Sequence, residues 1–279
     1  MINNTLSNMK KILLLAALAL TIGACCNHKT LTFMHLSDPQ IGFLDTTANY
    51  AQSDSLMGLA VEAVNRIKPA CVVITGDLVN NTADEKQKEI FKRRLAEIDP
   101  SVPVFCLPGN HDERPYTFEH HAAFLDFNGY DRFSFMKDGV AFIGFDSCPI
   151  KDGDVAAEEE QLEWLKAELT AAKNARQILL FTHCPVVRET LDETEDYFNF
   201  SIPKREEYLS LFKKYGVDAL FAGHTHTCYN TEIDGILFVT AGPVGSPLHN
   251  GFSGLNVVKV GPEGISWRYT TAPDATKNI

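Results

Sequence analysis

Five short clusters of this sequence gather side chains that bind divalent metals. They are Asp38-Pro39-Gln40, Gly76-Asp77, Gly109-Asn110-His111-Asp112, Thr182-His183 and Gly223-His224-Thr225-His226. The candidate ligands are Asp38, Gln40, Asp77, Asn110, His183, His224 and His226. Carboxylate, carboxamide and imidazole donors suit hard or borderline ions such as manganese, iron or zinc. Two such ions side by side are a common device for phosphate-ester hydrolysis. Asp77 is the candidate bridge, because a carboxylate has two oxygens to share between two cations. Asn110 can give its amide oxygen to a metal and turn its NH2 toward a phosphate oxygen. A tight turn could aim His224 and His226 at different metals. The expected nucleophile is a hydroxide held between the ions, since coordination lowers the pKa of water. His111 is the candidate proton donor to the leaving-group oxygen, and Asp112 the carboxylate expected to orient it. A lone Gly-Asp or His-x-His carries little weight; the ordered set of five carries the reading. Taken singly, Asp112 and His35 read more readily as structural than as catalytic.

Each cluster follows an apolar run that reads as a buried strand. All five therefore fall on loops leaving the C-terminal ends of strands, where open α/β sheets place their sites. Strands are expected over 31–36, 70–75 and 102–107, and helices over 55–68 and 83–98. Leu56, Leu59, Ala60, Ala63, Val64 and Ile67 share one face of the first helix. This β-α-β-α-β alternation belongs to a parallel sheet with crossover helices. Beyond it, a hairpin turns at Lys137-Asp138-Gly139 between strands over 133–136 and 140–145. Helices over 157–173 and 204–215 alternate with strands over 177–181 and 218–221. Two more hairpins turn around Asp234-Gly235 and Gly261-Pro262-Glu263-Gly264. The pattern predicts α/β architecture: two mixed sheets face to face with helices outside, the first half building one sheet and much of the second half the other. The stretch 185–203 is a long irregular connection directly after His183. Its Asp192, Glu193, Glu195 and Asp196 form either a plain acidic surface or a cover that disfavours strongly anionic substrates.

The chain has 279 residues and a formal charge of −11, a length that one α/β domain can fill. The acidic balance argues against duplex DNA or RNA as partner, since phosphate-backbone binding needs basic patches. Lys10 and Lys11 precede an apolar run over 12–22, too short to span a bilayer comfortably. Ile22-Gly23-Ala24-Cys25 then resembles a bacterial lipobox. The expected layout is a lipoprotein signal peptide over 1–24, a tether over 25–29 lipidated at Cys25, and one catalytic domain over 30–275. Cleavage there removes two lysines and no acid, which takes the charge to −13. Several acyl chains on Cys25 would anchor the protein to a membrane of the bacterial envelope, facing the periplasm or the exterior. Cys71 and Cys106 read as buried thiols. Cys184 and Cys228 lie close after the histidine clusters and either approach the metals or simply pack. An envelope compartment permits a disulfide, but the spacing pairs none of them.

Taken in order, the five clusters resemble the calcineurin-like metallophosphoesterase superfamily over about residues 30–270. The resemblance implies a four-layer αββα sandwich of two mixed β-sheets flanked by helices, with a dinuclear metal site. It implies one metal on Asp38, Gln40, Asp77 and His226, the other on Asp77, Asn110, His183 and His224, and His111 as proton donor. Of the two divalent ions, manganese is favoured, with iron, zinc or magnesium as alternatives. Asn65-Arg66-Ile67-Lys68-Pro69, Gly76-Asp77-Leu78-Val79-Asn80, Glu195-Asp196-Tyr197-Phe198-Asn199 and the stretch 242–255 are similar to one subfamily. That subfamily is calcineurin-like phosphoesterase domain-containing protein 1, whose members resemble Ser/Thr protein phosphatases in activity. Two positions depart from the wider superfamily: Gln40, where most members carry His, and Cys184, where many carry a second His. The implied function is hydrolysis of a phosphorylated substrate, a phosphoprotein or small phosphoester. The alternative is a phosphodiesterase acting on nucleotides or lipid head groups. A non-catalytic scaffold or a surface binding lipoprotein is disfavoured, because every ligand position and His111 are filled.

Overall fold

β1 (Leu31–Leu36) is buried on both faces. Leu31 and Phe33 join one apolar cluster, Met34 and Leu36 another. A central strand covered on both sides needs that composition. The computed structural model describes residues 29–248 and 251–277, so the leader expected over 1–24 and Cys25 lie outside the described residues. β2 (Val72–Thr75) pairs in parallel with β1, and β3 (Val104–Leu107) in parallel with β2. The crossovers are α1 (Ala51–Ile67) and α2 (Glu85–Ala96). α1 buries Met57, Ala60, Val61 and Val64, three or four residues apart, and stops at a left-handed Lys68 before Pro69. α2 starts at Asp84, whose carboxylate accepts from the Lys86 and Gln87 amides. After β3 come the one-turn α3 (Asn110–Glu113) and α4 (Phe118–Asn128).

The second sheet opens with β4 (Phe133–Lys137) and β5 (Val140–Gly144). Between them Asp138 and Gly139 take φ of 49° and 81°, the both-positive turn that matches strand twist. The short α5 (Cys148–Asp152) and α6 (Val155–Ala171) lead to β6 (Gln177–Phe181), and α7 (Ile202–Tyr215) to β7 (Ala219–Ala222). β5, β6, β7 and β9 (Ile236–Thr240) run parallel, and β8 (Tyr229–Ile233) closes the far edge antiparallel. Three apolar seams bind four layers. One lies between α1, α2, α4 and the first sheet. One lies between the sheets, where Phe33 meets Phe142, Phe181 and Phe221 edge-on at 5.2, 5.7 and 5.4 Å. The third lies under α6 and α7.

The expected class of two mixed sheets flanked by helices is the one observed, with two differences. The C-terminal hairpin, β10 (Leu255–Gly261) and β11 (Gly264–Thr270), belongs to the first sheet, where β10 pairs antiparallel with β1. The reason is that β10 is apolar on both faces: Leu255 and Val257 meet the helix seam, Val258 and Val260 the seam between sheets. Such a strand belongs inside a sheet. The second difference is α4 and α5, which the periodicity did not predict. α4 buries only Phe124, so it has no apolar stripe. Its ends were legible, though, in the cap Thr117 and in Gly129.

Candidate active site

The structure places the five clusters at the C-terminal ends of β1, β2, β3, β6 and β7 and brings them together. Ligand atoms of Asp38, Asp77 and His183 lie within 4.8 Å of one another, as do those of His183, Cys184 and His224. His183 Nε2 is 3.4 Å from Asp77 Oδ1 and 3.1 Å from Asn110 Oδ1. His226 Nε2 is 3.6 Å from Asp38 Oδ1. The His183 and His224 rings are 4.8 Å apart. Thus His226 and Asp38 form one lobe, and Asn110, His183 and His224 the other, with Asp77 against His183.

Adjacent loops hold one another by backbone bonds. The Gln40 amide donates to Asp77 O at 2.7 Å, and the Gly223 amide to His183 O at 2.9 Å. A Cβ on Gly223 would collide with Ser37 Oγ and Asp38 Oδ2, and one on Gly109 with Asp77. Only glycine allows those approaches. Five of the seven candidate ligands hold a left-handed backbone: Asp38 at φ 49°, Gln40 at 36°, Asp77 at 50°, His224 at 71° and His226 at 53°. Such residues persist only where the surroundings over-determine them, and they cluster at functional sites.

Hydrogen bonds to backbone carbonyls fix each imidazole, because a ring nitrogen facing a carbonyl must donate. His183 Nδ1 donates to Thr75 O at 2.8 Å and His226 Nδ1 to Ser246 O at 3.0 Å. His224 donates from Nε2 to Tyr197 O at 3.2 Å. The lone pairs left over are Nε2 of His183, Nε2 of His226 and Nδ1 of His224. This is how metal-binding histidines are commonly oriented. Burial above all holds His224 well below its ordinary pKa, in the neutral form that ligates. Burial pushes the Asp38 carboxyl up, while His226 and His183 pull it down. Asp38 Oδ1 and Gln40 Oε1 are buried oxygens with no hydrogen-bond partner. An unpaired buried acceptor costs about 1–3 kcal/mol, and a cation between these two satisfies both. The donor set fits a dinuclear metal centre on this ground.

The other Asp38 oxygen ends a chain of hydrogen bonds running up from the sheet interior. Asn256 Nδ2 donates to His35 Nδ1 at 3.2 Å, and His35 Nε2 to Thr75 Oγ1 at 2.9 Å. Thr75 Oγ1 donates to Ser37 Oγ at 2.9 Å, and Ser37 Oγ to Asp38 Oδ2 at 2.5 Å. The His224 amide donates to the same oxygen at 3.0 Å. Burial lowers His35 to about 3, so it stays neutral within the chain. Sequence reasoning had marked His35 only as structural and missed Ser37, Thr75 and Asn256 as supports. Ser37, directly before Asp38, was the one readable signal.

Asp112 requires a correction. Its buried carboxylate does not reach His111; it accepts from the amides of Gly109 at 2.8 Å, Leu78 at 3.0 Å and Val79 at 3.4 Å. It ties the Asp77 loop to the Asn110 loop. The His111 ring is instead held by Nδ1 donating to Asn80 O at 3.0 Å, which leaves Nε2 free. The His111 amide donates to Asp77 Oδ1 at 2.8 Å. Sequence reasoning aimed a carboxylate at His111, but three donors facing Asp112 compete for it and win.

The long connection after His183 reaches the site through Tyr197. Asn110 Nδ2 donates to Tyr197 Oη at 2.9 Å, besides the Tyr197 carbonyl on His224. The loop is pinned by the buried Arg205, which donates to the carbonyls of Phe200, Leu191 and Glu193. Its acids are largely engaged within the loop: Glu193 and Asp196 pair with Arg188, and Glu195 caps the Ile202 amide. The acidic cover is therefore mostly an internal frame. Cys184 is buried beside the histidines, and burial pushes its thiol up to about 12. Cys228 is exposed, and all five cysteines among the described residues are free thiols.

A cleft of about 820 Å³ opens beside His111, lined by Asn80, Asn110, Arg114, His120 and Tyr197 among others. Residues 31–228 match the family model described as calcineurin-like phosphoesterase. The chain belongs to this family. It is therefore a hydrolase of phosphoester bonds, from a family that depends on a dinuclear metal centre. It is 33% identical over 260 residues to the zebrafish (Danio rerio) Serine/threonine-protein phosphatase CPPED1, covering 85% of this chain and 83% of that protein. It is also 31% identical over 185 residues to a probable glycerophosphodiester phosphodiesterase, GpdQ, from Arcobacter nitrofigilis, covering 65% of this chain and 64% of that one. A zebrafish dimetal phosphatase shares the fold of this phosphoesterase at a TM-score of 0.57 and 19% identity, over 87% of this chain and 99% of that one.

Proposed function

We propose that this phosphoesterase removes phosphate from serine or threonine side chains of peptides or proteins. Likeness to Serine/threonine-protein phosphatase CPPED1 along most of both chains supports the reading. The observation that carries it is the open cleft of about 820 Å³ beside His111, whose lining includes Arg114, a donor for phosphate, and Tyr197. In this reading Asp38, Gln40, Asp77 and His226 hold one ion, and Asp77, Asn110, His183 and His224 the other. When bound, the two ions act as Lewis acids on the phosphoryl oxygens and lower the pKa of water. Asn110 keeps an amide N–H near the phosphoryl group, positioned by Tyr197. Arg114 borders the cleft with its Nε on Asp152, leaving its other nitrogens for a phosphate oxygen. His111 Nε2 delivers the proton to the departing serine or threonine oxygen.

A panel of phosphopeptides, an aryl phosphate, a bis-aryl phosphate and glycerophosphodiesters, each assayed with added manganese, tests the proposal. Turnover of phosphopeptides above the diesters is expected. Preference for diesters would replace it with the glycerophosphodiesterase reading that the second relative suggests.

Two finer points belong to the same proposal. Gln40 offers a neutral oxygen where an imidazole is common, and oxygen donors favour harder ions. Manganese is the proposed ion, and Gln40→His should move the metal preference toward iron or zinc; unchanged affinities would remove Gln40 from the ligand set. The N-terminal segment is read as a lipidated leader from its sequence alone, placing the enzyme on a bacterial envelope membrane. No helix among the described residues is long and apolar enough to cross a membrane; the proposed attachment is through Cys25. Membrane recovery of the full-length chain that survives Cys25→Ala would refute the anchor.

A further inference from the structure

Away from the dinuclear centre, a second group of ligating side chains is buried where α3, α4 and the end of β5 meet. Glu113 closes α3, His121 lies on α4, and Asp146 follows β5. One ligand atom from each lies within 4.8 Å of the other two. None of the three serves the dinuclear centre.

Glu113 is 1% exposed, and its Oε2 has no hydrogen-bond partner. Its other oxygen lies 2.9 Å from His121 Nδ1. Asp146 is also 1% exposed. The Cys148 amide donates to Asp146 Oδ1 at 2.7 Å, and Gln161 clamps the Asp146 backbone at both its N–H and its C=O. The carboxylates are thus fixed in place with acceptor capacity to spare. A third acid, Asp131, lies 3.8 Å from His121 Nε2. Arg132, which lines the adjoining cavity, is engaged by Asp131 and Glu160. A small cavity of about 140 Å³ borders the group, lined by Tyr116, His121, Asp131, Arg132 and Asp146 among others. It gives room for water on an ion and a path for the ion to enter.

Buried charges of one sign cost several kcal/mol each unless paired or coordinated. Here two enclosed carboxylates face one imidazole, so the balance is negative by at least one charge. Burial first, with the charges of Asp112 and Asp131 adding to it, pushes Glu113 up to about 8. Either the pair holds a proton or it holds a cation. The unpaired Oε2, the imidazole and the adjoining cavity favour the cation. We propose that Glu113, His121 and Asp146 form a third divalent-cation site, which fastens the turn bearing Asn110 and His111 to α4 and β5. Two carboxylates and one imidazole suit manganese, iron or zinc. The site is structural, and it lets metal status act on the position of His111 without touching substrate.

The test is the metal count of the folded protein. Protein saturated with manganese and freed of unbound ion is analysed by plasma mass spectrometry, alongside Glu113→Gln and Asp146→Asn. Three ions per chain are expected for the wild type and two for each variant. Wild type saturating at two ions overturns the proposal, and so do variants that retain three. Should either variant fail to fold, His121→Gln, on the half-exposed face of α4, gives the same reading. Phosphatase activity is followed in parallel. Turnover with two ions removes only the third site, whereas three ions without turnover of any phosphoester counts only against the proposed function.

Discussion

Replacing Asp112 with Asn separates two roles for the same carboxylate. The side chain is buried and receives three amide donors, from Gly109, Leu78 and Val79. Asparagine keeps one acceptor oxygen. Placed toward Gly109 and Leu78, it turns its NH2 onto the Val79 amide, a donor against a donor. One buried N–H then loses its partner at about 1–3 kcal/mol, and the surviving bonds lose their charge assistance at about 1 kcal/mol more. The sum is about 2–4 kcal/mol. Burial and the Asp77 charge push the Asp112 carboxyl up; to the extent that it is protonated, the cost falls to the lower end. For a chain of this size the loss lowers the melting temperature by roughly 5–15 °C. Metal affinity should fall with it, because the loops carrying Asp77 and Asn110 are no longer tied. Asp112 does not contact His111, so the rate ratio between activated and poor leaving groups should stay as in the wild type. Calorimetry, metal titration and a series of aryl and alkyl phosphates measure the three quantities. An unchanged melting temperature with a loss confined to poor leaving groups would refute the clamp and restore Asp112 as the partner of His111.

His111→Gln should keep both site ions, because His111 lies outside the ligand set, yet lose about 10²–10⁴-fold on alkyl phosphates, the usual range for general acid catalysis. Activated phenyl phosphates should lose much less; equal losses would argue against proton donation. Ser37→Ala removes the hydroxyl donor to Asp38 Oδ2 and should weaken metal affinity at that lobe by about 10–100-fold, read by titration of chelator-stripped protein. In metal-free protein, burial holds Glu113 at about 8 against an ordinary 4.5, so the folded state binds more protons than the unfolded state between those values. Stability should therefore fall as pH rises through that window, and Glu113→Gln should flatten that part of the melting-temperature profile.

Much of the site was readable because its signals are local. Each ligand follows an apolar run, and an apolar run at domain scale is a strand whose end is a loop. Spacing could not show what the ligands lean on. Asn256 supports Asp38 through His35, Thr75 and Ser37, across 218 residues of sequence, because β10 folds back beside β1. The same return of β10 made the second half of the chain look like one sheet when it supplies two. Asp112 misled for a related reason. Adjacency to His111 suggested partnership, but on the one-turn α3 neighbouring side chains diverge, and the acid turned to amides from a loop 34 residues earlier. Tyr197 was visible only as an aromatic in a long loop, and its contact with Asn110 depends on where Arg205 pins that loop.

The left-handed ligands carry the remaining inference. Five non-glycine residues at positive φ cost together roughly 5 kcal/mol or more, comparable with the whole net stability of many domains. Relaxing any one of them would swing its donor away from the others. The fold prevents this with the Asp112 clamp, the Ser37 chain, the carbonyls on three imidazoles and the glycines that let the loops touch. None of these supports needs an ion, so the donors should stay convergent rather than assemble around the metal. A preformed set of mutually repelling and unpaired oxygens binds a cation without reorganising. The cation in turn offsets the strain and the two orphaned oxygens of Asp38 and Gln40. Metal binding should therefore raise the melting temperature without the gain in secondary structure that marks coupled folding. A large gain in circular dichroism on adding manganese would show that the donors converge only around the ion.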